Sequence, residues 1–122
     1  MAPPSALAVA TSSVQRLVKE ETYYHKELAS QKTRVEKLEK DIKEGSKDLD
    51  ENAEYVLKQE KQAMEETKNV FGPLRKRITD AVLKLEEQIA IGESNAEEST
   101  ETELAKAKEV LIQGQKTLNT EA

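Results

Sequence analysis

The chain has 122 residues, 36% hydrophobic and 35% charged, with one Phe and no Trp, which suits one domain with narrow helix seams and excludes a wide globular interior. Its net charge of −5 argues against a nucleic-acid partner, because duplex binding needs a cationic footprint, and the lack of Cys removes disulfides, thiolate catalysis and Cys-held metals. The longest apolar runs, ALAVA near the start and VLI near the end, fall far short of the roughly 20 residues that cross a bilayer.

The opening MAPPSALAVA carries no basic n-region, so a secretory signal is not expected and the cytosol is the default compartment. Residues 1–12 read as a flexible tail. Ser12 with Gln15 three residues later matches a capping box, which places the start of a first helix near Ser13. From there to Glu44 the seam positions are Val14, Leu17, Glu21, Tyr24, Leu28, Gln31, Val35, Leu38 and Ile42, at alternating spacings of three and four with no Pro or Gly between them. Such a helix is about 48 Å long at about 1.5 Å per residue, too long to stand alone, so other helices must cover its seam. Glu21 and Gln31 are polar seam members, which lower stability while fixing register.

Gly45 suits a left-handed helix C-cap, and the short turn after it returns the chain antiparallel. A second helix is expected over about 48–91. It carries one stripe at Ala53, Val56, Ala63 and Val70, and another at Leu57, Met64 and Phe71 that continues through Leu74, Ile78, Ala81, Leu85 and Gln88 or Ile89. Gly72-Pro73 interrupts it, since proline lacks the N–H that would bond the Asn69 carbonyl; a kinked continuation is favoured over a loop because the periodicity resumes at Leu74. GESNAEESTET reads as a loop, and two capping boxes, Ser94 with Glu97 and Thr100 with Glu103, compete for the next start. The third helix, about 95–119, shows Leu104, Ala107, Leu111, Gly114 and Leu118, with Val110 and Ile112 widening its apolar face. The fold class expected is all-α: an antiparallel three-helix bundle, coiled-coil-like, its middle helix kinked near Pro73, forming a single domain over 13–119.

The chemical inventory is thin. His25, the one histidine, sits beside the seam with no His or Cys to complete a metal site, and reads as a solvated surface residue. Carboxylates are interleaved with Lys on exposed faces, there is no Gly-rich phosphate loop, and no Ser has a base arranged to activate it. Neither catalysis, a metal nor a cofactor is expected. What remains are protein-binding surfaces. Arg16, Glu20, Tyr23, Glu27, Ser30 and Arg34 fall on an outward stripe of the first helix, where an exposed Tyr among charges is a common interface anchor. Arg75, Lys76 and Arg77 form the densest cationic cluster, suited to an acidic partner. Periodicity alone reads both as ordinary solvated charge.

The run QRLVKEETYYHKEL, then Gln31, VEKLEK, Asp48-Leu49, Val56-Leu57, Glu65-Glu66-Thr67, Pro73-Leu74, Arg77-Ile78 and Leu85, resembles the tubulin-binding cofactor A family. The resemblance covers about Val14 to Ile89, and its most specific part is the block Arg16 to Glu21 with Tyr24, Glu27 and Leu28. A longer N-terminal tail and a longer SNAEESTET loop depart from the compact family pattern. The resemblance implies a cytoplasmic, cytoskeleton-associated chaperone cofactor that holds β-tubulin intermediates after the chaperonin, for assembly into the αβ heterodimer. It implies β-tubulin as the partner, with other tubulin-folding cofactors at the handover; a monomer or weak homodimer is expected, and the acidic charge argues against nucleic-acid and membrane partners. Carried over, Arg16, Lys19, Glu20 and Glu27 become candidate tubulin contacts; Tyr23 joins them on chemistry, and of the basic cluster only Arg77 matches the family run. The alternative left open is a homodimeric coiled-coil adaptor or scaffold.

Overall fold

A computed structural model describes residues 3–45, 49–95 and 101–120. Among them three helices follow one another, α1 (Ala6–Glu44), α2 (Ala53–Ser94) and α3 (Glu101–Asn119), with no strand, in keeping with the all-α class expected. The chain divides into two units: a bundle unit made of the segments up to Glu21 and from Gly72 onward, and a hairpin unit, Thr22–Phe71.

In the bundle unit all three helices take part. The α1 seam begins upstream of Ser13: Leu7 and Ala10 are buried with Val14 and Leu17, continuing the same three-and-four spacing. The segment expected as a tail is therefore helical from Ala6. Its N-cap is Ser5, whose hydroxyl accepts the Ala8 N–H at 3.1 Å, and Ser12 lies exposed within the helix. Thr11 is buried and donates its hydroxyl to the Leu7 carbonyl at 2.8 Å, so its polar group enters the seam with a partner.

From α2 come Leu74, Ile78 and Leu85, fully buried, with Val82 and Ile89 beside them; each such side chain contributes roughly 1.5–3 kcal/mol before chain entropy is subtracted. α3 adds Ala107, Val110 and Gly114. Gly114 marks the tightest approach of the three helices, because a Cβ built there would stand 2.8 Å from a Val82 methyl and 2.9 Å from a Val14 methyl. Val110 joins the apolar face of α3 as expected. Ile112 does not: it is 63% exposed.

α2 continues through Pro73 without a break. Gly72, Pro73 and Asn69 are all exposed, so water can satisfy the Asn69 carbonyl that proline leaves without a donor. At its far end α2 reaches Ser94, whose hydroxyl bonds the Ala90 carbonyl at 3.0 Å, so Ser94 ends one helix and does not cap the next. Glu101 is already helical; Glu97 and Thr100, the other capping residues considered, lie outside the described residues.

The hairpin unit joins Thr22–Glu44 of α1 to Ala53–Phe71 of α2. Gly45 terminates α1 at a φ of +65°, donating its N–H to the Ile42 carbonyl at 3.2 Å, which is half of a Schellman cap. α2 starts at Ala53, held by Asp50, whose carboxylate accepts the Asn52 N–H at 3.0 Å and whose carbonyl accepts that of Ala53; Asp48, the start expected, lies outside the described residues. The seam between the two helices is thin. Val35, Ala53 and Phe71 are buried, but Leu28, Leu38, Leu57 and Met64 are half-buried, and Val56 is exposed. Gln31 is 6% exposed and its side-chain oxygen has no hydrogen-bond partner among the described residues.

Candidate functional site

The residues expected on the outward stripe of α1 divide between the two units. In the bundle unit, Arg16 and Lys19 are exposed and Glu20 is half-buried. Lys76 and Arg77 are exposed as well, on the first turns of the α2 segment of that unit.

Arg75 is not. One turn of helix rotates about 100° per residue, so three consecutive cations cannot share a face, and Arg75 turns inward beside Leu74 and Ile78. Its guanidinium donates to the Glu21 carboxylate at 3.0 Å, to the Thr117 carbonyl at 3.1 Å and to the Leu118 carbonyl at 2.6 Å. Glu21 is only 3% exposed, so this pair explains how a carboxylate can occupy the α1 seam. Arg75 also closes the C-terminal turn of α3, where the helix dipole favours a cation; the Thr117 carbonyl accepts the Thr120 N–H at 3.3 Å as well. The basic cluster therefore offers Lys76 and Arg77 fully to solvent, while Arg75 is half-buried and engaged by Glu21 and the α3 carbonyls.

In the hairpin unit, Tyr23 is 61% exposed and packs edge-on against Tyr24, with ring centroids 5.3 Å apart. This leaves most of its ring and its hydroxyl available to a partner, the combination that makes Tyr a frequent anchor. Glu27 is half-buried and Arg34 exposed; Arg34 pairs with Glu27 at 3.8 Å and with Glu60 at 3.4 Å, and donates to the Ser30 hydroxyl at 3.0 Å. Exposed pairs of this kind are worth about 0–1 kcal/mol, so a partner can displace them cheaply.

His25 corrects an expectation. It is half-buried, and its ring stacks on Phe71 with centroids 4.6 Å apart at 29°, so it serves the hairpin seam together with Tyr24, which meets Phe71 edge-on. Among the described residues no group of three or more His, Asp or Glu side chains is placed to hold a metal, and no helix is long and apolar enough to cross a membrane.

Among the described residues the helices thus present an exposed aromatic, Tyr23, and exposed charges at Arg16, Lys19, Arg34, Lys76 and Arg77. The family model for tubulin binding cofactor A matches residues 2–111 of the chain. Over 84 residues the chain is 32% identical to a tubulin-specific chaperone A of Saccharomyces cerevisiae, a match spanning 69% of this chain and 72% of that relative. No solved structure matches it. The chain belongs to the tubulin binding cofactor A family.

Proposed function

We propose that this protein is a tubulin-folding chaperone cofactor that captures β-tubulin intermediates released by the chaperonin and holds them for assembly into the αβ heterodimer. Membership of the tubulin binding cofactor A family carries this reading, and the name of the yeast relative, tubulin-specific chaperone A, agrees with it. The surface chemistry supports it in kind: a client held by an exposed tyrosine and displaceable ion pairs is bound without a deep pocket and can be released unchanged. Arg16, Lys19, Glu20, Tyr23, Glu27, Arg34, Lys76 and Arg77 are the contacts we assign, in the cytoplasm, with other tubulin-folding cofactors taking over the client.

Size-exclusion chromatography of the protein mixed with β-tubulin diluted from denaturant tests the proposal. The expected result is co-elution of a complex, which Tyr23→Ala weakens by about tenfold, the loss of one interface anchor, without change in helicity. Elution of the two chains apart, under conditions where β-tubulin remains soluble, overturns it.

A further inference from the structure

Between α1 and α2 of the bundle unit runs a groove whose described lining is Ala6, Val9, Ala10, Ser13, Ala81 and Lys84, with no residue of α3 among them. Val9 is 52% exposed there, a large apolar side chain displayed to water, while Ala10 is buried and forms the floor. The facing residues are small, so another helix can bring its backbone close, as the missing member of a four-helix arrangement would. From Ala6 to Ser13 the groove spans about 10 Å at about 1.5 Å per residue, enough for about two helical turns.

Charge gives the groove a direction. Its first stretch, from Ala6 to Gln15 on α1, contains no charged residue. Ser13 and Ala81 line it together, and one turn further on they are followed by Arg16 on α1 and Arg77 on α2, both exposed. Among the described residues neither arginine makes an ion pair. Lys84, within the groove, pairs with Glu87 at 3.8 Å across an exposed helix face. Glu20, half-buried, stands one turn beyond Arg16. The groove thus begins apolar and leads to two exposed arginines, with Glu20 and Asp80 each one turn from one of them and no ion pair formed among the described residues.

We propose that this groove docks an amphipathic helix of the client, one whose apolar stripe lies over Val9 and Ala10 and whose carboxylates reach Arg16 and Arg77. This rests on the tubulin-capture reading for the source of the helix; the acidic, amphipathic character of the occupant rests on the groove alone. The two guanidinium groups set the orientation of the bound helix, because only one direction puts its acidic end beside them.

Two probes test this. The first is a designed peptide of about 18 residues, long enough to form an amphipathic helix, with Leu and Ala on one face and Glu flanking it at one end, compared with the same peptide bearing Lys for Glu. Fluorescence anisotropy is expected to give at least tenfold tighter binding of the Glu peptide. Arg16→Glu with Arg77→Glu, and separately Ser13→Trp, should each weaken that binding at least tenfold, while Arg16→Lys with Arg77→Lys retains most of it; circular dichroism confirms that each variant folds. Equal affinity for the two peptides, or groove variants that bind the Glu peptide as well as the parent, overturns the proposal. The second probe is β-tubulin diluted from denaturant. Capture lost in the double charge reversal supports the client assignment, and capture unchanged overturns it. A parent protein that binds the Glu peptide but never captures β-tubulin refutes the proposed function and leaves the acidic-helix site supported.

Discussion

Arg75 spends its charge inside the molecule, on a carboxylate and two main-chain oxygens, and this decides what its removal does. Glu21 would remain almost wholly buried with no counter-charge, so Arg75→Ala is expected to cost about 3 kcal/mol. Replacing both partners, Glu21→Leu with Arg75→Met, should cost less than that single change, because no charge is stranded; urea denaturation midpoints of the two variants check the order. Gln31 is the opposite case. Its buried oxygen lacks a donor among the described residues, so Gln31→Leu is expected to raise stability by about 1 kcal/mol, read as a higher denaturation midpoint; a lower midpoint would show that the amide is satisfied after all. Both residues stood out in the sequence as polar members of a regular seam, but spacing could not show that one had found a partner and the other had not. The role of Arg75 was hidden for a related reason. Among three consecutive cations, the one that turns inward is fixed by the phase of Leu74 and Ile78, which becomes certain only when the third helix is in place.

At the scale of helices, existence and type were legible, and the ends were less so. Gly45 was readable as the close of α1 because a positive φ is the one conformation that favours glycine so strongly. The start of α1 was obscured by composition: MAPPSALAVA is uncharged and proline-bearing, and it resembles a tail, although Leu7 and Ala10 already keep the seam spacing of Val14 and Leu17. A serine at position 5, not position 12, supplies the cap. α2 shows how tertiary packing overrides propensity, since burial of Leu74, Ile78 and Leu85 on one side and of Phe71 on the other holds Pro73 within a helix. Restoring the missing N–H should therefore help. Pro73→Ala is expected to stabilise the protein by about 1–3 kcal/mol, measured as a rise in the denaturation midpoint.

At the scale of the whole molecule, the burial pattern separates the two units by their content. The largest fully buried side chains, Leu74, Ile78, Leu85 and Val14, all belong to the bundle unit, whereas the Leu and Met residues of the hairpin seam, Leu28, Leu38, Leu57 and Met64, are only half-buried. Local opening follows apolar burial, so amides of 57–68 are expected to exchange with deuterium faster than those of 78–89 under native conditions. Equal protection of the two segments would contradict this. The division was not visible in the sequence, because a seam of Leu, Val and Ile at regular spacing looks alike whether one helix covers it or two. The candidate contacts were legible as residue types, and Tyr23 is as exposed as its position implied. Their allotment to separate units depends on which segments pack together, and that is fixed by the fold.

The grip of Arg75 on α3 has one more consequence. It takes hold of the carbonyls of Thr117 and Leu118, and every amino acid carries a carbonyl. The latch is therefore indifferent to the chemical identity of the links it fastens and sensitive to their number: altering Thr117 leaves it shut, whereas deleting one residue from the preceding helix pulls the handle out of reach.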